Sequence, residues 1–475
     1  MQLCAPASPP GRELTFSLRT RFVWVLLVAA ASPATAQNPL LVPPPRPSAG
    51  AVPRPVLSDT AGLETLVAHA LAVHPTVSAA AARAEAARAR VAPAGTWPDP
   101  MLMAGIENFP VSDPGFGDEM TMKMVGVSQT IPFPGRTRLR RAAASGEAVA
   151  ADARLRAARL EVAQRVRDAY FELAYLDQAL EIMTRHQALL ADFIRVAESR
   201  YGVGAAPQQD VLRAQVEAGR LAEQASMVAE QRRAAQARLN EALDRYSETP
   251  LPPVRMPTRI ARLAAPASAA EVRFVSPALG ARATGSPLPP LETLEAMAVE
   301  SSPVLAEQQA MIATQAVRVE LARLDVRPDF DVSLRYGQRD GMPDMVSATV
   351  GVPLPLNRRR RQDQEVAAAR AELAAAEAGL HEVRNQVRLD VARLHSGLER
   401  ARTQLAIYTS AVLPQARASL ESATASYQVG RVDLLAVMDA QATLFNYETE
   451  YHRLLTDFAR QLAELGRVVG REVVP

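Results

Sequence analysis

The chain has 475 residues and a formal net charge of +2, all of it carried by residues 1–36 through Arg12, Glu13, Arg19 and Arg21. The remainder is formally neutral, which argues against nucleic acid as a partner. The single cysteine, Cys4, lies ahead of an apolar run, so a disulfide framework and a thiolate metal centre are both excluded.

Arg19 and Arg21 precede the apolar run Phe22 to Ala31, which is followed by Ala34-Thr35-Ala36. A basic region, a short hydrophobic core and an A-x-A site predict a secretory signal peptide over 1–36. The run falls short of the roughly 18 apolar residues that suggest a membrane-spanning helix. Residues 37–60, with Pro43-Pro44-Pro45, Pro53 and Pro55, read as an extended proline-rich tail.

A first structural repeat is expected over 61–248. A helix from about Gly62 to Val91 is interrupted at His74-Pro75, because proline lacks the amide and restricts the residue before it. Trp97-Pro98-Asp99-Pro100 ends the helical pattern. Met101 to Asn108 and Met120 to Ile131 then read as strands around a Pro-, Gly- and Asp-rich loop, a β-hairpin over 99–131. A long helical hairpin follows over 137–246. Its first arm carries Leu155, Val162, Val166, Ala169, Leu173, Leu176, Leu180, Met183, Leu190 and Ile194 on three- and four-residue steps. That is the seam of a supercoiled helix. Tyr201-Gly202-Val203-Gly204 turns the chain, and the second arm is expected from about Pro207 to Tyr246.

Residues 249–290, with nine prolines, form an inter-repeat linker whose structure the pattern does not specify. The plan then repeats over 291–470. Leu291-Glu292-Thr293-Leu294 copies Leu63-Glu64-Thr65-Leu66 at an offset of 228 residues, and Ser302-Pro303 answers His74-Pro75 at the same offset. Pro328-Asp329 answers Pro98-Asp99, and Val352-Pro353-Leu354-Pro355 answers Ile131-Pro132-Phe133-Pro134. A second β-hairpin is expected over 329–353. Phe330, Val332, Leu334 and Tyr336 alternate there with Asp331, Ser333 and Arg335, so one face is apolar and one polar. A second long helical hairpin is expected over 359–469, with a kink at Pro414. Its turn, Tyr427-Gln428-Val429-Gly430, copies the first turn at an offset of 226 residues, and Ala440-Gln441 copies Ala214-Gln215 at that same offset. An internal duplication of this kind decides the fold class before any single element does.

Two hairpins supply four strands of a length that suits a tilted membrane-spanning strand. Four strands cannot close a barrel, and an open edge in lipid leaves backbone groups unsatisfied. If the strands lie in a membrane, an oligomer is required; the competing reading is a soluble sheet packed on helices.

The duplicated plan, the two Tyr-x-Val-Gly turns and the strand exit Ile131-Pro132-Phe133-Pro134-Gly135-Arg136 resemble the TolC family of outer-membrane efflux proteins over nearly all of residues 60–470. The resemblance implies a mainly α fold with a small β part. Duplicated helical hairpins would form a trimeric α-barrel tunnel, and four strands per chain would contribute to a twelve-stranded transmembrane β-barrel. It implies a homotrimer in the outer membrane of a Gram-negative bacterium, in contact with outer-membrane lipid and with a large periplasmic part. Such a duct conducts passively, with no catalytic residue and no cofactor, and docks onto a periplasmic adaptor and an inner-membrane pump. Trp97 to Pro100, with Gly105-Ile106-Glu107-Asn108-Phe109-Pro110, looks most like members that work with heavy-metal pumps of the resistance-nodulation-division class. Ducts for multidrug efflux or type I protein secretion are the alternative.

The resemblance also implies site residues. A tyrosine–aspartate latch at the tips falls on Tyr427 and Asp210. A second latch uses an arginine where this chain has Val432, with Arg431 one residue away. A constriction ring falls on Asp439, while the companion aspartate position holds Ala436. The adaptor-docking tips fall on Val203, Gly204, Val429 and Gly430. Met101, Met103, Met120, Met122, Met124, Met342 and Met345 cluster in the strands and loops. Thioethers suit soft cations, although methionine is also a common apolar filler. The six histidines show no ligand spacing, so no metal site is assigned, and no enzyme motif is present.

Overall fold

Proline punctuates the first helices of the repeat. In the computed structural model, α1 (Leu63–Val73) and α2 (Pro75–Ala89) are separated by His74, which is extended and whose Nδ1 accepts from the Thr76 amide at 3.1 Å. Pro75 takes the first helical position, where a missing amide costs nothing. A short α3 (Val91–Ala94) leads to the strands. The structure describes residues 62–111, 116, 118–264, 272–276, 280–283 and 288–473, with 272–276 and 280–283 described as backbone only. The expected signal peptide (1–36) and proline-rich tail (37–60) lie outside these residues.

Strands β1 (Met101–Glu107) and β2 (Met122–Ile131) form the first hairpin. Helix α4 (Arg136–Gly202) has 67 residues and so spans about 100 Å. Helix α5 (Gln208–Ala242) returns. It ends four residues before the expected Tyr246 because Asn240 and Asp244 break it. Asp244 takes a φ of 54°, and the Asn240 side-chain amide donates to the Ser247 and Thr249 carbonyls at 3.0 and 2.8 Å.

The expected linker has its own structure. It contains α6 (Thr258–Ala264) and the two-stranded hairpin of β3 (Val272–Ser276) and β4 (Gly280–Ala283). Met256 and Ile260 pack on the cores of both repeats, so this segment ties the halves together.

The second repeat runs α7 (Leu291–Ser301), α8 (Pro303–Leu324), β5 (Phe330–Gln338), β6 (Met345–Gly351) and α9 (Gln362–Ile407). Turns over 357–361 delay α9 to Gln362, three residues after its expected start. A π-helical turn, Tyr408–Val412, precedes α10 (Leu413–Gln428). The irregularity lies just ahead of Pro414, whose ring would clash with the carbonyl of residue 410 in a regular helix. The wider turn relieves that clash. Helix α11 (Leu434–Val469) closes the repeat, capped by the Asp433 carboxylate, which accepts from the Ala436 amide.

The cores mirror the duplication. Leu66 and Ala70 are buried with α4 and the end of α5, and their counterparts Leu294 and Ala298 are buried with α9 and α11. A third core joins the far half of α4, the start of α5, α10 and the start of α11. This third core holds the two hairpins side by side toward their turns.

The four long strands make one antiparallel sheet in the order β1-β2-β5-β6, so the halves meet at β2 and β5. Cross-strand partners share a face. The register therefore puts Leu102, Ala104, Val125, Val127, Phe330, Val332, Leu334, Tyr336, Val346 and Val350 on one side. Ser128, Thr130, Asp331, Ser333, Arg335, Ser347 and Thr349 share the other side with Gly126 and Gly337. The apolar side is the exposed one, with Leu102 at 72%, Leu334 at 57% and Val350 at 64%. On the central strands the polar side is the better covered, and Gly126 and Gly337 on it are buried. A soluble sheet packed on helices would show the reverse. Among the described residues no single helix is long and apolar enough to cross a membrane.

Candidate functional site

The two hairpin tips are one motif built twice. At the end of α4 the Gly204 amide donates to the Tyr201 carbonyl and the Ala205 amide to the Arg200 carbonyl, at 2.9 and 2.8 Å. At the end of α10 the Gly430 amide donates to Tyr427 and the Arg431 amide to Ser426, at 3.0 and 2.9 Å. This paired pattern is the Schellman closure, which needs a left-handed residue after the helix. Gly204 and Gly430 supply it with φ of 72° and 75°. The closure leaves Val203 and Val429 at the apex, 78% and 69% exposed among the described residues.

The tips differ in what crosses between them. Tyr427 is buried to 2% exposure in the third core. The Arg200 guanidinium lies 4.6 Å from the centre of its ring and donates through Nη1 to the Tyr427 carbonyl. Its Nη2 donates to the Ala205 carbonyl of its own turn at 3.2 Å. One side chain thus clasps both turns. Arg200 was not among the expected site residues. The signal for it was the contrast with its duplicate, since the matching position of the second turn holds Ser426.

Asp210, buried in the first turn of α5, acts on Tyr427 from the other hairpin. Burial first, and then the Asp210 charge, push the Tyr427 phenol up from its ordinary value, while Arg200 pulls it down. The structure therefore brings Tyr427 and Asp210 near one another. The buried Tyr427 hydroxyl nevertheless completes no hydrogen bond of normal length and angle. Val432 and Asp439 are both exposed, on the tip and on α11.

Behind the tips lies a polar network that was not expected. Glu448 on α11 is buried, with Oε1 accepting from Arg417 at 3.0 Å and Oε2 from Arg185 at 3.2 Å. His186 Nε2 stands 3.3 Å from the same Oε2, and Gln441 Nε2 is 3.0 Å from His186 Nδ1. With Gln441 donating to Nδ1, the Nε2–H of a neutral imidazole faces the carboxylate. Gln441 belongs to the duplicated Ala-Gln pair; its twin Gln215 is exposed. The second copy was thus turned inward and became a structural hydrogen-bond donor.

The His186 hydrogen bond and the two arginines outweigh burial and hold Glu448 down at about 2. A depressed carboxylate contributes stability that is complete above its unfolded value and is lost as pH falls through the folded one. Glu448→Gln should therefore lower the thermal midpoint at pH 6. The gap from the parent should narrow steadily as pH falls from about 4.5 toward 2. Melting curves of both proteins at pH 6 and pH 3 check this.

Among the described residues no group of three His, Cys, Asp or Glu is placed to hold a metal ion. The tips present two apolar apices, one bridging cation and a buried phenol beside a carboxylate.

The profile of the family described as "Outer membrane efflux protein" matches residues 66–245 and 295–471, which are the two repeats. The cobalt-zinc-cadmium resistance protein CzcC of Cupriavidus metallidurans is 29% identical over 175 residues, covering 36% of this chain and 41% of that protein. The alignment thus spans less than half of that relative's length. Among solved structures, the outer-membrane channel OprN superposes with a TM-score of 0.69 at 17% identity, over 87% of this chain and 91% of the other. The outer membrane protein VceC of Vibrio cholerae gives 0.68 at 20% identity, over 86% and 96%. CusC, described in terms of folding and transmembrane channel formation, gives 0.69 at 15% identity, over 86% and 92%. At these identities the structures testify to the fold.

Proposed function

Because this chain belongs to the outer membrane efflux protein family, we propose that it is the outer-membrane exit duct of a tripartite efflux system, a homotrimer that passively conducts heavy-metal cations. The observation that carries the membrane and channel reading is the inverted sheet, with its apolar side outward and its polar side the better covered on the central strands. Lipid is the partner that an exposed apolar strand face fits, and a polar inner face fits water. The metal cargo is supported by the likeness to CzcC. Val203, Gly204, Val429 and Gly430 are then the adaptor-docking apices, with the adaptor joining the duct to an inner-membrane pump of the resistance-nodulation-division class. Tyr427 and Asp210 belong to the closed gate. Asp439 supplies one carboxylate per subunit to a cation-favouring constriction.

The cargo is tested by deleting the gene and measuring cell-associated cobalt, zinc, cadmium, nickel, copper and silver under sublethal load, beside drug susceptibility. Selective metal accumulation with unchanged drug tolerance is expected. Drug sensitivity with unchanged metal content, or failure to secrete a protein, overturns the metal reading in favour of a multidrug or type I secretion duct.

The duplication also supports one register for the seam of such a trimer. Strands β1 and β6 are the edges of the sheet, and each needs a partner in lipid. Within the chain, β2 pairs with β5 so that Ile131 faces Phe330. Mapping β2 onto β6 and β5 onto β1 through their matched proline motifs places Val350 opposite Leu102 of the partner subunit. It also places Ala348 opposite Ala104 of the partner subunit and Val346 opposite Ile106 of the partner subunit. Every apolar position meets an apolar one. With Cys4 the only native cysteine, the pair Ala348→Cys and Ala104→Cys should cross-link on oxidation into covalent trimers. The pair Ala348→Cys and Leu102→Cys, shifted by two residues, should not. Gel electrophoresis without reductant reads the difference.

A further inference from the structure

We infer that the outer end of the polar sheet face is a low-affinity thioether site for soft monovalent cations such as Ag(I) and Cu(I). The inference rests on the channel reading above, in which this face lines the lumen. The register decides which face the methionines take. Met101, Met103, Met122, Met124 and Met345 all fall on the polar side with Ser128, Ser333, Arg335 and Thr349. None of the strand methionines falls on the other side, where valine, leucine, isoleucine, alanine and aromatic residues stand together with Lys123, Gln129 and Gln338. Methionine used only as apolar filler belongs on the lipid side with those residues. Five thioethers on the water side of the sheet need another reason.

Their spacing supplies one. Met124 is opposite Gly337, and Gly337 is opposite Met345, so two methionines flank one glycine in a single cross-strand row. The Met122 sulfur lies over the same glycine, 2.8 Å from where a Cβ on Gly337 would stand. Met103, opposite Gly126, is the diagonal neighbour of Met124, which is opposite Gly105. Glycines thus alternate with methionines across the rows, and the Met122 thioether lies over Gly337, which carries no side chain. Arg335 reaches the edge of the group, with Nη1 3.9 Å from the Met124 sulfur. This sulfur donor set has the Arg335 guanidinium at one edge and Glu107 opposite Met122 on the same face, and thioethers are poor ligands for hard divalent cations. The set suits a soft, weakly hydrated monovalent ion that accepts two or three sulfur ligands. In a trimer the rows would repeat three times around the lumen, and weak sites of this kind permit passage without trapping.

The test uses the full-length trimer in lipid nanodiscs, with methionine methyl groups carbon-13 labelled, titrated with Ag(I). The Met122, Met124 and Met345 methyl signals should shift saturably, while those of the helical Met183, Met297 and Met438 should not. The variant Met122→Leu, Met124→Leu, Met345→Leu keeps side-chain volume. It should lose this saturable Ag(I) uptake in equilibrium dialysis and leave Zn(II) uptake unchanged. Unaltered Ag(I) uptake in the triple variant overturns the site, as do shifts spread evenly over helical methionines. Equal loss of Zn(II) uptake overturns its softness. Single-channel recording of the same samples separates the two readings. A conducting trimer without Ag(I) binding removes the thioether site alone, whereas a protein that neither trimerises nor conducts removes the channel reading on which it stands.

Discussion

Arg200→Ala is expected to raise the open fraction of single channels in planar bilayers about tenfold or more. The guanidinium makes two charge-assisted contacts, to the Tyr427 and Ala205 carbonyls, and stacks on the Tyr427 ring. A hydrogen bond to a charged group is worth ~1.5–3 kcal/mol, and ~1.4 kcal/mol is a tenfold change in a two-state ratio. The substitution removes the tie between the hairpins while leaving each Schellman turn intact. Tyr427→Phe should act more weakly, because the hydroxyl it deletes meets only the Asp210 carboxylate, without a hydrogen bond of normal length and angle, and the ring that Arg200 covers remains. Asp210→Ala should fall between the two, since it removes the charge that acts on the phenol. The order Arg200, Asp210, Tyr427 is the informative result. If Tyr427→Phe opens the channel as strongly as Arg200→Ala, the phenol and not the guanidinium holds the closure.

The second large effect is expected at Arg136→Ala, in loss of the folded protein. Arg136 is buried at the start of α4, directly after the β2 exit. Its Nη1 pairs with Asp329, and its Nη2 donates to the Leu324 and Arg327 carbonyls at 3.0 and 2.9 Å, with Asp325 at 3.4 Å. Asp329 in turn accepts from the Phe133 amide at 2.7 Å. Removing the guanidinium leaves a carboxylate and two carbonyls without their donor. Asp329 is 23% exposed and keeps the Phe133 amide, so the loss lies nearer the ~1.5–3 kcal/mol of a hydrogen bond to a charged group than the cost of breaking a fully buried pair. Arg136→Lys should restore little, because an ammonium cannot serve a carboxylate and two carbonyls from one planar fork. The measurement is the yield of heat-resistant trimer in outer-membrane fractions, with Arg165→Ala as control. Arg165 makes only an exposed pair with Glu161, for which a small effect is expected.

Much of the plan was written locally. Pro75 and Pro303 divide the short helices, the period-two pattern marks β5 and β6, a Pro-, Gly- and Asp-rich loop marks the hairpin of β1 and β2, and Gly204 and Gly430 mark the reversals. Each of these signals acts within a few residues, through steric exclusion or backbone freedom. The duplication made them doubly legible, because a coincidence in one half had to recur in the other. The same local rules account for the boundaries that moved. Asn240 and Asp244 end α5 early, and the π-helical turn before Pro414 replaces a simple kink.

Four features needed the tertiary structure. Alternation in β5 and β6 says that one face is apolar, but only the register and the covering of the sheet tell which face is outward. The duplicated Ala-Gln pairs are identical in sequence, yet Gln441 is buried against His186 while Gln215 is exposed, because packing around the two copies differs. Arg136 stands in a legible motif, but its partner Asp329 is 193 residues away. Arg200 and Tyr427 are 227 residues apart, and nothing in either neighbourhood names the other. The sequence by itself determined the repeat, the helices, the strands and the turns, since backbone preference and side-chain period operate at short range. The tertiary structure alone decided which turns are clasped, which charges are buried together and which side of the sheet is outward. Those outcomes follow from contacts between segments that only the packed cores bring within bonding distance.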